Sequence, residues 1–259
     1  MDILDNYIRV APSRQAVLDI FDGEWSSSMP QDCGLVTRPG TAALFEDARI
    51  TGADAVLGPF KGMKILELGP LEAGHSYMCQ SLGAESIVSI ESNSRAFLKC
   101  LCIQNVFGLD RVTFHYGDFN EYLRKEKPKF DVALASGVLY HMVEPLQTLQ
   151  LLSDASDRLF LWTHYYDEAI VKAAPQVSKL FTATNTAHFK GRSYQLHKRE
   201  YQEALNWKGF CGGSSAFALW LTRDGLLGAL GQLGYSKLDI SFDAPDHPNG
   251  PALAICARR

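Results

Sequence analysis

The stretch Ile65-Leu66-Glu67-Leu68-Gly69-Pro70-Leu71-Glu72-Ala73-Gly74-His75 decides the fold. It completes a compact apolar strand, Met63 to Leu68, then breaks at Gly69 into a turn preceded by the acid Glu67. Such a turn is either an ordinary strand-to-helix junction or a loop that brings backbone amides close to a nucleotide-like ligand. Taken alone, the segment fits both, and the strands that follow it separate the two.

Glu85 to Glu91 (ESIVSIE) is a short β-branched strand, Val112 to Tyr116 (VTFHY) a third, Phe130 to Ala135 (FDVALA) a fourth and Arg158 to Trp162 (RLFLW) a fifth. Between them, Ser94 to Phe107 repeats its apolar residues at helical spacing, and Pro145 to Leu152 is a second helix. This order of strands and helices predicts an α/β, Rossmann-like, doubly wound and mostly parallel sheet. The pattern lapses from about residue 167 to 217, an aromatic, basic stretch that reads as an insertion. It resumes in a helix over Thr222 to Leu233 and two strands, Lys237 to Phe242 and Ala252 to Ala257. Turn residues alone join that last pair, which predicts antiparallel neighbours. Ahead of the sheet, residues 1–60 read as a helical extension, with a helix start at Pro12-Ser13 and a loop over Trp25 to Pro30. The domain proper is expected to span residues 61–259.

A formal net charge of −4, with no long run of Lys or Arg, argues against a nucleic-acid binder. No apolar run reaches the roughly 18 residues of a membrane span, so no membrane partner is expected. The N-terminus MDILDNYIRV lacks the pattern of a signal peptide. Six scattered cysteines include no second pair at metal-ligand spacing. They read as reduced core residues of a cytoplasmic protein with no metal site.

In open α/β sheets, ligands lie beyond the carboxyl ends of the strands. Here the first strand ends in Glu67 and Gly69, and the second in Glu91, 24 positions after Glu67. An acid at the second strand tip accepts from both hydroxyls of a ribose. The third strand runs into Gly117-Asp118-Phe119, an acid and a ring suited to adenine. A lone Asp after Gly is usually a turn or cap residue. Suitable residues on three consecutive strand tips favour an adenosine site.

The fourth strand ends in SGVLYHMVEPLQTL, Ser136 to Leu149. With it the chain resembles the class I S-adenosylmethionine-dependent methyltransferases, and especially the tRNA wobble-uridine 5-oxyacetic-acid group and its small-molecule relatives. The resemblance covers residues 60–165 and the terminal hairpin. It implies S-adenosylmethionine as cofactor and a seven-stranded sheet with the last strand antiparallel. By the same resemblance, Glu67 and Gly69 lie near the methionine moiety and Glu91 holds the ribose hydroxyls, with Pro70, Gly74, His75 and Ser92 as further cofactor contacts. Asp118 and Phe119 hold the adenine, Ser136 and Gly137 line the cofactor edge, and Tyr140, a cofactor contact, faces the reacting methyl with His141. Family loops carry glycines where this chain has Leu71 and Ala73, a departure that Gly74 is expected to offset. A nicotinamide enzyme would need the G-x-G-x-x-G spacing that this loop lacks.

For a hydroxyl acceptor, the candidate general bases are His141, at the end of the fourth strand, and His164, after the fifth. Tyr165, Tyr166, Tyr194, Trp207 and Lys208 are candidate acceptor contacts, the last three within an insertion expected to form a lid. The expected reaction is methyl transfer to an oxygen or nitrogen of a small molecule. The alternatives are tRNA wobble-uridine modification and a non-catalytic cofactor-binding module.

Overall fold

The computed structural model describes residues 3–207 and 209–259. The N-terminal segment holds helix α1 (Arg14–Leu18), strands β1 (Trp25–Ser27) and β2 (Pro39–Ala42), and helix α2 (Ala48–Leu57). The core alternation follows as β3 (Lys64–Leu68), α3 (Gly74–Ser81), β4 (Ser86–Glu91), α4 (Ser94–Phe107), β5 (Val112–Tyr116), α5 (Phe119–Glu126), β6 (Val132–Ser136), α6 (Pro145–Ala155) and β7 (Arg158–His164). Next come α7 (Glu168–Ala173), α8 (Pro175–Ser178), β8 (Phe181–Phe189), β9 (Arg192–Glu200) and β10 (Phe217–Leu221). The chain closes with α9 (Arg223–Gln232), β11 (Lys237–Ala244) and β12 (Ala252–Arg258).

The main sheet has seven strands in the order β11-β12-β7-β6-β3-β4-β5. The strands from β7 to β5 pair in parallel, while β12 runs antiparallel between β7 and β11. The strand order reverses direction at β3, the first strand of the alternation, so the crevice of the topological switch opens over β3 and β6. Period-two alternation divides the core. Ile65, Ile87, Val132, Leu134 and Phe160 face α2, α3 and α4 on one side of the sheet. Leu66, Leu68, Ala133, Leu159 and Leu161 face α6 and α9 on the other.

The capped start read at Ser13 is present, with the Ser13 hydroxyl accepting from the Ala16 amide. One reading of the polar segments needs correction. Trp25 to Ser27 is a strand, paired in parallel with Pro39 to Ala42, because Glu72 accepts the Ser26 and Ser27 amides from across the molecule. The extension is therefore only partly helical. The insertion carries α7, α8, β8 and β9, and its two strands form a three-stranded antiparallel sheet with β10, in the order β10-β9-β8. Its hairpin turns at Lys190-Gly191, both at positive φ (47° and 77°), which matches the strand twist without the usual Asn-Gly. Of the six cysteines, Cys79, Cys100 and Cys256 are buried, while Cys211 is exposed. Among the described residues, no helix is long and apolar enough to cross a membrane.

Gly74 opens α3 against the backbone of Leu44, where a Cβ would lie 2.7 Å from the Leu44 carbonyl. Its missing side chain thus serves packing between the extension and the sheet. Gly74→Ala should lower the unfolding free energy by about 1–3 kcal/mol in urea titration; a neutral result would show that the two segments are not tightly docked.

Candidate functional site

A cleft of about 360 Å³ runs across the carboxyl ends of β5, β4, β3, β6 and β7. Of the residues singled out in the sequence, Gly69, Pro70, His75, Glu91, Ser92, Phe119, Ser136, Gly137, Tyr140 and His141 line it. Glu91 ends β4 buried in the wall. Its Oε2 accepts from the Leu71 amide at 3.1 Å and its Oε1 from the Asn93 amide at 2.8 Å. Each oxygen keeps capacity for a further hydrogen bond. Burial raises the Glu91 carboxyl above its ordinary pKa despite these backbone donors.

The turn after β3 keeps the shape of a glycine loop without the glycines. Gly69, Leu71 and Ala73 all lie in the left-handed region, at φ 61°, 54° and 60°. For a residue with a Cβ this costs about 1–2 kcal/mol. The compensation comes from Glu72, the residue between them, which is fully buried. Its carboxylate accepts from the Ser26 amide at 3.0 Å and the Ser27 amide at 2.8 Å, and pairs with Lys99 Nζ at 2.8 Å. So Leu71 and Ala73 themselves take the left-handed conformation that glycine adopts freely, and Gly74 supplies no left-handed position.

Other expected residues stand elsewhere. Glu67 is sealed beneath the loop, where its Oε2 accepts from the Ser76 and Ser89 hydroxyls. It does not line the cleft, and burial raises its pKa. Asp118 is exposed at the edge and caps α5 by accepting from the Glu121 amide. His164 is also outside the wall. Its Nδ1 lies 2.8 Å from the Gly250 carbonyl, so this nitrogen carries the proton, and its ring stacks on Trp220 at 5.1 Å. It is a structural imidazole behind Tyr140. Among the acceptor candidates, Tyr165 and Tyr194 belong to the core, Tyr194 donating to Gln232. Tyr166 stacks on His197, and the exposed Trp207 borders a neighbouring cleft with Trp25 and Arg95. None of these four lines the main cleft. Lys208 falls outside the described residues.

The wall also holds residues that no sequence pattern marked. Leu44 and Arg49 come from the N-terminal segment, Trp162 from β7, and Cys211, Gly213 and Ser214 from the insertion. Arg49 pairs with Asp47 at 2.6 Å and lies 4.6 Å above the Trp162 ring. His75 Nε2 meets the same carboxylate at 2.9 Å. Burial would raise Asp47, but His75 and Arg49 together hold it well below the carboxylate range.

His141 faces the cleft, its Nδ1 2.7 Å from the Tyr201 hydroxyl. Burial, then the nearby Arg199 charge, lowers it to about 3, and burial lowers His164 to about 4. Both imidazoles are neutral in the fold but titrate near 6.5 when unfolded. Below that pH the unfolded chain binds more protons, so this stabilisation is complete above about 6.5 and lost as pH falls toward the folded values. His164→Asn should flatten the pH dependence of urea unfolding between pH 6.5 and 4; an unchanged slope would contradict the burial assigned to His164. Separately, Glu72→Gln should cost about 3 kcal/mol by leaving Lys99 without a counter-charge, and adding Lys99→Met should recover part of it.

Residues 59–204, more than half of the chain, match the family model described as "Methyltransferase domain". No curated protein matches by sequence. Among solved structures, the chain is similar to the N-terminal domain of EvdMO1 with S-adenosylhomocysteine bound, at 20% identity and a TM-score of 0.68, covering 95% of this chain and 94% of that one. An S-adenosylmethionine-dependent methyltransferase from Mesorhizobium loti is 16% identical with a TM-score of 0.55, over 84% of this chain and 100% of that one. Magnesium protoporphyrin IX methyltransferase from Synechocystis PCC 6803 is 16% identical with a TM-score of 0.52, over 81% and 83%. At these identities the likeness is one of fold. Together with the match along its own sequence, it places the chain in the methyltransferase-domain family, on the class I fold of S-adenosylmethionine-dependent enzymes.

Proposed function

We propose that this chain transfers the methyl group of S-adenosylmethionine to an oxygen or nitrogen of a small molecule. The observation that carries the reading is one cleft with Glu91 in its wall near Phe119 and a neutral imidazole, His141, beside Tyr140. The wall suits the cofactor. The remaining acceptor capacity of Glu91 fits a ribose diol, and Phe119 offers a ring to adenine. Ser92 extends the ribose end. Gly69, Pro70 and His75 flank the methionine tail, and Ser136, Gly137 and Tyr140 form the floor. At Gly137, φ is +80°, a left-handed conformation in which any side chain would be strained. When bound, the cofactor supplies a methyl group already activated on sulfonium, so the protein's own work is orientation and proton removal.

His141 is the proton acceptor in this reading. With a pKa of about 3 it is unprotonated at neutral pH but weakly basic. Its contribution therefore belongs at the low end of general-base catalysis, about 10²-fold. The insertion, residues 167–217, provides the acceptor wall and lid through Cys211, Gly213 and Ser214. The extension, residues 1–60, closes the opposite side through Leu44 and Arg49. A small acceptor is favoured because Arg49 is the single Lys or Arg in the described wall, where a polyanion would call for several. A structure of the N-terminal domain of EvdMO1 in the presence of S-adenosylhomocysteine and D-fucose is consistent with a small hydroxylated acceptor.

The test uses methyl-labelled S-adenosylmethionine with a small-metabolite extract and, separately, bulk tRNA. Label should enter the small-molecule fraction, and His141→Asn should lower kcat about 10²-fold with little change in cofactor KM. Label in tRNA alone would overturn the small-molecule reading, and an unaffected kcat would remove His141 from its role.

A further inference from the structure

The N-terminal segment contributes a cation to the cleft wall. Arg49 stands in the first turn of α2, before the residues that match the methyltransferase-domain model. Its guanidinium is held along one edge and one face. Asp47 takes Nε at 2.9 Å and Nη2 at 2.6 Å, and the Trp162 indole supports its face at 4.6 Å. Asp47 is fixed in turn by the Arg49 amide at 2.9 Å and by His75 Nε2 at 2.9 Å. This leaves Nη1 with no hydrogen-bond partner among the described residues, on a side chain that borders the cleft. A guanidinium anchored along one edge is pre-organised, so little rotamer entropy is lost when the remaining donors bind.

Strand order gives the direction of any ligand here. Phe119 follows β5 and Glu91 ends β4, so an adenosine gripped by those residues occupies that side of the cleft. The amino-acid tail then extends across β3 and β6 toward Trp162 on β7, where Arg49 and His75 stand. That tail carries a carboxylate, and Arg49 is the one permanent cation in the described wall to meet it. Resting on the cofactor reading above, we propose that Arg49 binds the carboxylate of the cofactor's methionine tail, with Asp47 as the positioning residue that aims it.

The experiment is calorimetric titration of the full chain with two probes. S-adenosylhomocysteine carries the tail; 5′-methylthioadenosine has the same nucleoside and a thioether but no carboxylate. Arg49→Met should weaken S-adenosylhomocysteine at least about tenfold, the scale of one charge-assisted hydrogen bond, and leave methylthioadenosine within about twofold of wild type. Arg49→Lys, which keeps the charge without the fork, should fall between. Unchanged S-adenosylhomocysteine affinity in Arg49→Met would overturn the assignment. So would equal losses for both probes, which would mean that Arg49 acts only through the fold. Wild-type protein that binds neither probe would overturn the cofactor reading itself, and this assignment with it.

Discussion

The loop after β3 depends on one buried ion pair. Glu72 has no exposure to solvent, and its carboxylate joins Lys99 on α4 to the amides of β1. Desolvating both charges is costly, and the geometry answers with backbone donors on the acid and the Glu24 carbonyl on the amine. The result is a loop pinned at its centre. Its flanking residues, Leu71 and Ala73, are held in a conformation that their side chains disfavour. From that conformation the Leu71 amide reaches Glu91, linking the loop after β3 to the acid that ends β4.

This makes the N-terminal segment part of the site. β1 holds Glu72, while Asp47 and Arg49 at the start of α2 reach the far end of the cleft. By strand order the cleft runs from Glu91 at the end of β4, past His141 after β6, to Trp162 on β7, against which the Arg49 guanidinium lies. A ligand with hydroxyls at one end and a carboxylate at the other matches that order.

The sheet was legible because buried parallel strands are short apolar runs with turn residues between them, and their tips must carry any site. Glu91, Phe119 and His141, singled out at strand tips, all line the cleft. Glu67 has the same strand-end position but serves two internal hydroxyls, a distinction set by Ser76 and Ser89 in three dimensions. His164 shows the same limit: the Gly250 carbonyl that fixes its tautomer lies 86 positions away in the chain. The hairpin of β8 and β9 escaped because its outward residues are polar and its turn is Lys-Gly. Arg49 escaped because nothing local in Asp47-Ala48-Arg49 tells of Trp162, 113 positions away. Local pattern specifies elements; contacts between distant segments specify which side chains face the ligand.

The central claim is that Glu72 replaces the missing glycines as the determinant of a binding-competent loop. The most direct measurement is the affinity for S-adenosylhomocysteine, by calorimetry, of Glu72→Gln and of Glu72→Gln combined with Leu71→Gly and Ala73→Gly. The account predicts a loss of at least about tenfold in the single variant and recovery of most of it when the glycines remove the strain. A folded Glu72→Gln protein that binds like wild type, or a loss that the glycines do not relieve, would contradict it.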